Sequence, residues 1–299
     1  MIRIGVDFGG TKIEAAAIDA EGRFQSRVRA PNPRVYEASL EGVRDLVAQA
    51  EREAGSKGSV GVAMPGSLSP KTGLARNANS TWLNGRPFHQ DLERVLERPV
   101  RCANDANCLA LSEAVDGAAA GANVVFAMII GTGCGGGLTV GGRLIEGLNG
   151  VAGEIGHIPL PWPNIDEIPA ATCWCGQRGC LELYISGTGL ERDHKRRANR
   201  HLAAQDVVSA ARRGDMAAKS ALDAYVDRLG RALAMVVNLV DPDVIVLGGG
   251  MSNVDELYPR LPAVIASRIF SDVFETPIRP PRHGDSSGVR GAAWLWPLE

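Results

Sequence analysis

The chain has 299 residues, of which 45% are hydrophobic and 22% charged, and its formal net charge is −2. This composition is typical of a soluble globular protein long enough for two domains, and it excludes a disordered chain. The nearly neutral charge offers no electrostatic surface for nucleic acid or for an anionic bilayer, so neither is an expected partner.

Periodic apolar residues predict strands and helices in the first part of the chain, followed by a looser pattern at 117–122 that marks a domain boundary. The predicted elements are three strands over about 2–7, 12–18 and 24–28 that form a meander, a helix over 36–50 with Gly55 at its end, strands over 60–64 and 100–103, and a helix over 106–114.

The second part begins like the first, because a strand over 124–130 runs into Gly131-Thr132-Gly133 as the first strand runs into Gly9-Gly10-Thr11. This likeness suggests a weak internal repeat. The further predicted elements are a long amphipathic helix over 217–240, a strand over 244–247, a helix over about 253–270 and a short last element over 289–296 with Asp285, Ser286 and Ser287 as capping candidates. Strands mixed with helices in both parts predict an α/β fold.

Three glycine-rich turns follow strands, at 9–11, 131–137 and 248–250. Bare backbone N–H groups in such turns can approach the phosphate oxygens of a nucleoside triphosphate, although simple tight turns are the alternative for each one. Gly131, Gly133 and Gly136 also satisfy the dinucleotide fingerprint, but that fingerprint requires a helix next. The residues that follow predict a hairpin instead, and no Walker A sequence occurs in the chain.

Three cysteines and a histidine are spaced like the ligands of one metal ion: His157, Cys173, Cys175 and Cys180. A Cys₃His set suits tetrahedral Zn²⁺. The alternative is a disulfide, which would leave one of the three thiols unpaired. Such a zinc site would also hold two nearby acids, Glu154 and Glu182, close to one spot.

The longest apolar run, 124–130, is far too short to span a membrane, and no apolar signal segment precedes the first glycine motif. Reduced thiols and zinc without a signal peptide are typical of the cytosol. A cytoplasmic location is therefore expected.

Five motifs of the chain are Asp7-Phe8-Gly9-Gly10-Thr11-Lys12, Asn104-Asp105-Ala106-Asn107, Gly131-Thr132-Gly133, Glu154 to His157, and Cys173 to Glu182. Together they resemble the ROK family, which unites bacterial sugar kinases and sugar-responsive repressors. The segments 77–85, 112–121 and 283–296 are similar, more narrowly, to the fructokinase (mannofructokinase) members of that family.

The resemblance implies an actin-like ATPase (ribonuclease H-like) fold, with two α/β domains around a cleft. The first domain would cover 1–118 and be joined by a C-terminal helix over about 288–299, and the second would cover 119–287 and carry the zinc site. A homodimer is the family expectation.

The activity that the resemblance implies is an ATP-dependent hexose kinase, which transfers the γ-phosphate to a sugar hydroxyl, by family habit at the 6-position. Fructose is the expected substrate, with mannose and glucose as further candidates. The alternatives are a glucokinase or an N-acetylglucosamine kinase of the same family, or a catalytically silent sugar sensor. A repressor is not expected, because its helix-turn-helix domain would precede a motif that here begins by residue 5.

Asp105 would be the general base that takes the proton of the attacking hydroxyl, and capping of the helix by Asp105 or Asn104 is the structural alternative. The residues implied to read the sugar are Asn79, Asn104, Glu154, His157 and Glu182. The residues implied to bind the nucleotide are Gly5, Asp7, Gly9, Gly10, Thr11, Lys12, Thr132, Gly133, Cys134, Gly135, Gly136, Gly249 and Gly250.

Mg²⁺ is expected near Asp7, and zinc is expected to be structural. His157 would place one ring nitrogen on zinc and the other toward a sugar hydroxyl, while the alternative is a zinc site that only stabilises the fold. Trp82 is interpreted as a packed loop aromatic rather than a sugar platform.

Overall fold

The computed structural model of the chain describes residues 2–297. The end of the helix predicted over about 288–299, and the side chain of the capping candidate Asp285, lie outside the described part. No helix within that part is long and apolar enough to cross a membrane.

The elements of the first part are β1 (Arg3–Phe8), β2 (Lys12–Ile18), β3 (Phe24–Pro31), α1 (Tyr36–Ala54), β4 (Ser59–Met64), β5 (Ser67–Leu68), β6 (Ala75–Arg76), α2 (Phe88–Leu96), β7 (Val100–Asn104) and α3 (Asp105–Val115). The elements that follow are β8 (Val124–Ile130), β9 (Cys134–Val140), β10 (Arg143–Leu144), α4 (Glu182–Ile185), α5 (Gly187–Ala198), α6 (Ala204–Arg212), α7 (Met216–Val240), β11 (Val244–Gly248), α8 (Leu257–Ala266), β12 (Ile278–Arg279) and α9 (Ser287–Trp294).

The chain packs as two compact units. The first consists of Met1–Gly121, Gly137–Ala152 and Arg282–Glu299, and the second of Ala122–Gly136 and Gly153–Pro281. The division into domains 1–118 and 119–287 stays a prediction, because compact packing does not by itself establish an independent folding unit.

The first unit is built on a five-stranded sheet of order β3-β2-β1-β4-β7. β1 to β3 form the antiparallel meander expected from the sequence, and β1, β4 and β7 run parallel. Alternation along β1 sends Ile4, Val6 and Phe8 into the core that α1 covers. Helix α1 ends at Gly55, whose left-handed conformation (φ 68°) closes the last turn.

Helix α9 brings the C-terminal segment onto the opposite face of this sheet. A Cβ on Gly5 would collide with the Val289 carbonyl oxygen of α9, so the backbones of the strand and the helix touch directly. Gly5 was expected to bind the nucleotide, and that expectation stays a prediction. The residue lies inside β1, and this close approach accounts for the missing side chain.

The second sheet has the order β10-β9-β8-β11-β12. β9 and β10 form an antiparallel hairpin, with positive φ at both Gly141 and Gly142. The predicted hairpin is therefore confirmed, and the helix that a dinucleotide fingerprint requires is absent from this position. Helix α7 has the predicted long buried face, is capped by the Asp215 side chain and ends at Asp241.

Two predicted helices differ from the structure. The helix expected over about 253–270 is shorter in the structure and consists of α8 alone. The chain makes a 3₁₀ turn over Gly250–Asn253 before this helix, and Phe270, beyond its end, is fully exposed. Helix α9 has no side-chain cap at Ser286, and the Ser287 hydroxyl donates instead to Glu113 Oε1 at 2.9 Å.

Candidate active site and metal cluster

The structure brings the four predicted zinc ligands together in the second unit. The ligand atoms of His157, Cys173, Cys175 and Cys180 all lie within 4.8 Å of one another. Cys173 Sγ is 3.8 Å from His157 Nδ1, and the Cys175 and Cys180 sulfurs are 3.6 Å apart. Because all the cysteines are free, the disulfide alternative is wrong.

Backbone hydrogen bonds shape the loop that carries the thiols. Cys173 N donates to the Gln177 carbonyl at 2.8 Å, and Gly176 N donates to the Cys173 carbonyl at 3.0 Å, which folds the loop back on itself. Leu181 N donates to the Ile158 carbonyl at 2.9 Å. This last bond sets Cys180 beside the segment that carries His157.

The chemistry of the donor set fits Zn²⁺. Burial raises the pKa of Cys173 and raises that of Cys180 to about 12, whereas a hydrogen bond from the Gln177 N–H lowers the pKa of Cys175. Buried thiols of this kind become thiolates only beside a cation, and three thiolates with one imidazole form a closed tetrahedral zinc set.

Glu182, the first residue of α4, connects this loop to the glycine turn that follows β8. Its Oε1 accepts a hydrogen bond of 2.7 Å from Trp174 Nε1, and its Oε2 accepts one of 3.0 Å from Cys134 N. The structure therefore places a predicted sugar-reading carboxylate between the predicted metal loop and the predicted phosphate loop.

The segment with Glu154 and His157 packs against the same turn. A Cβ on Gly156 would collide with the Cys134 carbonyl oxygen, so only glycine permits this contact. Glu154 immediately precedes the short 3₁₀ turn Ile155–His157 and is half-buried. The segment that carries Glu154 and His157 and the carboxylate of Glu182 thus both contact the turn over residues 132–136.

The third glycine turn contacts the second. Gly249 has φ 81°, and a Cβ there would lie 2.8 Å from the Ile130 carbonyl oxygen. From α5, Gly187 N donates to the Gly131 carbonyl at 2.7 Å, and the Thr188 hydroxyl donates to the Thr132 carbonyl at 2.9 Å. These two donors occupy turn carbonyls, and neither residue was predicted from the sequence.

In the first unit, Asn104 caps α3. Its Oδ1 accepts from Ala106 N at 2.8 Å, and its Nδ2 donates to the Gly66 carbonyl at 3.0 Å. Asp105 is the first residue of α3 and is exposed, and its Oδ1 also accepts from Ala106 N at 2.8 Å. The capping alternative therefore holds for Asn104, while the Asp105 carboxylate is exposed at the helix N-terminus.

The turn after β1 is held by its neighbours. Asn32 Nδ2 donates to the Gly9 carbonyl at 2.8 Å, and a Cβ on Gly10 would lie 3.0 Å from Ser80 Oγ, which places the loop of the exposed Asn79 beside this turn. Lys12 Nζ forms an ion pair with Glu14 at 3.6 Å.

The carboxylates of Asp7 and Asp105 lie around one buried thiol. Burial raises the pKa of Cys108 well above its usual value, and the negative charges of Asp105 and Asp7 raise it further. Two carboxylates in one region would suit Mg²⁺, which is commonly held by one or two acids and the phosphates of its substrate.

Trp82 packs on Phe8 with ring centroids 5.7 Å apart, which supports its interpretation as a packed aromatic.

Comparison with known proteins shows one family. The model of the ROK family matches residues 3–299. An N-acetyl-D-glucosamine kinase of Pectobacterium atrosepticum is 42% identical over 296 residues, which is 97% of this chain and 97% of that protein.

Two solved structures share the fold. A ROK hexokinase from Thermus thermophilus superposes with a TM-score of 0.87 and 34% identity, covering 98% of this chain and 97% of that one. A ROK family glucokinase from Streptomyces griseus, solved with glucose and AMPPNP, gives a TM-score of 0.80 and 29% identity, covering 99% of both chains. The predicted actin-like ATPase fold with two α/β domains is therefore confirmed, and the chain belongs to the ROK family.

Proposed function

We propose that the protein is an ATP-dependent kinase that transfers the γ-phosphate to the 6-hydroxyl of N-acetyl-D-glucosamine. The observation that carries this proposal is the 42% identity, over 97% of both chains, to an N-acetyl-D-glucosamine kinase. Fructose was the expected substrate, and the comparisons do not support it. They favour the alternative substrate already drawn from the family resemblance.

Asp105 is the proposed general base. Phosphoryl transfer leaves the protein mainly the tasks of alignment and charge stabilisation, together with removal of the proton from the attacking hydroxyl. Asp105 is exposed at the N-terminus of α3, where the partial positive charge of the helix favours its ionised form. An exposed carboxylate at this position can accept the 6-hydroxyl proton.

The glycine turns are the proposed nucleotide site. Residues 9–12 and 132–136 offer backbone N–H groups to the phosphates, and Gly249 and Gly250 border the adenosine. Contacts from α5 occupy carbonyls of the second turn, and Cys134 N donates to Glu182, so the other N–H groups of this turn would bind the phosphates. Asp7 would hold Mg²⁺, which supplies charge neutralisation to the phosphates when it is bound.

Asn79, Glu154, His157 and Glu182 are the proposed sugar-reading residues, with the Asn104 amide as a further candidate. Carboxylates and amides fixed by protein hydrogen bonds can accept and donate to adjacent hydroxyls, and they reject an analogue that lacks one. His157 faces the thiols through Nδ1, which leaves Nε2 as the ring nitrogen for the sugar. The cysteine cluster would hold zinc as a structural ion that orients this imidazole.

Product analysis tests the proposal. The protein is incubated with ATP, Mg²⁺ and N-acetyl-D-glucosamine, and the sugar product is examined by mass spectrometry and ³¹P NMR. We expect a monophosphate whose phosphorus couples to the protons of carbon 6. A phosphate on another carbon, or consumption of ATP without a phosphorylated sugar, would contradict the proposed reaction.

Glucose is the second candidate substrate, because the S. griseus structure is a glucokinase holding glucose and an ATP analogue. The same incubation with glucose in place of N-acetyl-D-glucosamine distinguishes the two candidate substrates. A strong preference for glucose would move the assignment to that sugar while leaving the proposed base and turns in place.

A further inference from the structure

Trp174 lies between two of the metal-binding cysteines and makes two directed contacts. Its Nε1 donates to Glu182 Oε1 at 2.7 Å. Its ring and the His157 imidazole are perpendicular to each other, with ring centroids 4.9 Å apart and planes at 88°. Both partners are proposed sugar-reading residues.

Burial does not explain this tryptophan. The residue is 64% exposed, so its ring contributes little to the hydrophobic core. Its hydrogen bond, in contrast, joins an N–H donor to a carboxylate, which is a stronger class of bond than one between neutral groups. The hydrogen bond to Glu182 therefore explains a tryptophan at this position better than the burial of its ring does.

Glu182 is held from two sides. Trp174 Nε1 donates to one carboxylate oxygen, and Cys134 N donates to the other at 3.0 Å. Two donors from separate segments fix the plane of a carboxylate, whereas one donor leaves it free to rotate about that contact. A sugar hydroxyl that binds to a fixed carboxylate loses less free energy to ordering the side chain.

We propose that Trp174 is a positioning residue for substrate, which fixes the Glu182 carboxylate and the His157 imidazole in the orientation that reads the sugar. This inference rests on the proposed function, because it assumes that these two side chains contact N-acetyl-D-glucosamine. Trp174 acts through them and has no part in the phosphoryl transfer itself.

The test compares Trp174→Phe with Trp162→Phe. Phenylalanine keeps a ring beside His157 but removes the N–H that Glu182 needs. Trp162 is a matched control because it is 45% exposed in the same unit and its indole N–H makes no hydrogen bond within residues 2–297. Steady-state kinetics give KM for both substrates and kcat, and metal analysis gives the zinc content.

We expect Trp174→Phe to raise KM for N-acetyl-D-glucosamine about tenfold, the typical cost of a lost hydrogen bond to a charged group. KM for ATP, kcat and zinc content should stay within about twofold of the wild type, because the indole offers no ligand atom to the metal and takes no part in the phosphoryl transfer. Trp162→Phe should match the wild type.

Three results would overturn the inference in distinguishable ways. A Trp174→Phe variant with the same sugar KM as Trp162→Phe would remove the positioning role. Loss of zinc together with a parallel fall in kcat would show that Trp174 only stabilises the metal loop. A wild-type protein that does not phosphorylate N-acetyl-D-glucosamine would contradict the proposed function, and this inference with it.

Discussion

Asp105 is the single residue on which the proposed chemistry depends most. Asp105→Asn keeps the shape of the side chain and an oxygen that can accept from Ala106 N, and Asn104 still caps α3. Because the amide cannot accept the hydroxyl proton, we expect kcat to fall about a thousandfold, while the Kd for N-acetyl-D-glucosamine changes less than about threefold. Stopped assays and calorimetry measure the two quantities.

Asp206→Asn is the matched control, because Asp206 is also an exposed aspartate in the first turn of a helix, α6. It should leave kcat unchanged. An Asp105→Asn variant with near-normal turnover would remove Asp105 from the role of base.

The cysteine cluster makes a second prediction at this scale. Cys175→Ser removes one thiolate, so we expect the zinc content to fall well below one ion per chain. If the metal orients His157, the affinity for N-acetyl-D-glucosamine should fall about tenfold or more, the usual effect of disturbing a metal-held contact. Cys102→Ser, at a free cysteine outside the cluster, should retain both zinc and affinity. Unchanged sugar affinity in folded, zinc-depleted Cys175→Ser would mean that the cluster only stabilises the fold.

At the scale of elements, α7 holds the segment that leads into the metal loop. Arg228 Nε and Arg231 Nη2 each donate to Glu167 Oε1 at 2.7 Å, and Arg231 also donates to the Trp162 carbonyl at 2.7 Å. All three ionised side chains are buried. Glu167→Gln removes the carboxylate that the two buried arginines share and leaves Arg228 with Asp193 and Arg231 with the half-exposed Asp227, so the free energy of unfolding should fall by about 3 kcal/mol.

Asp166→Asn is the control for this change, since Asp166 is the exposed neighbour on the same short turn. It should alter stability by less than about 0.5 kcal/mol. Urea unfolding of both variants measures the difference, and equal stabilities would show that the arginines are satisfied without Glu167.

The same cluster predicts a pH dependence. Burial by itself would raise the pKa of Glu167, but the hydrogen bonds from Arg231 and Arg228 outweigh it and lower the pKa below its ordinary value of 4.5. A carboxylate with a lowered pKa in the folded state stabilises the protein above its ordinary pKa, and that stability is lost as the pH falls through the lowered value. The stability gap between the wild type and Glu167→Gln should therefore be full at pH 7 and shrink below pH 4.5.

Elements with a strong local signal could be predicted from the sequence. The meander, α1 with Gly55, and the long α7 all follow from periodicity and from glycine or proline at their ends. Helix α5 was missed because its buried residues include Asp193 and His194, so it has no continuous apolar stripe. Its place is set by ion pairs to Arg228 rather than by a pattern within the helix.

At the scale of the whole molecule, motifs predicted which residues the structure brings together, but not the contacts between them. The Cys₃His spacing predicted the cluster, since the glycines between Cys175 and Cys180 let the loop fold back so that its thiols converge. The bonds of Trp174 to Glu182 and of Thr188 to Thr132 join residues that no spacing rule relates. The packing of Gly5 against α9 could not be predicted either, because the sequence does not distinguish a glycine needed for helix packing from one needed for a ligand.

The fold of the whole molecule does not identify the substrate, because relatives that match nearly the whole chain carry the names of different sugar kinases. The most direct test of the central claim is the specificity constant kcat/KM, measured by coupled assay for N-acetyl-D-glucosamine, glucose, mannose and fructose. We expect N-acetyl-D-glucosamine to exceed each of the other three by at least about tenfold. A higher value for fructose, or for either of the other hexoses, would contradict the assignment.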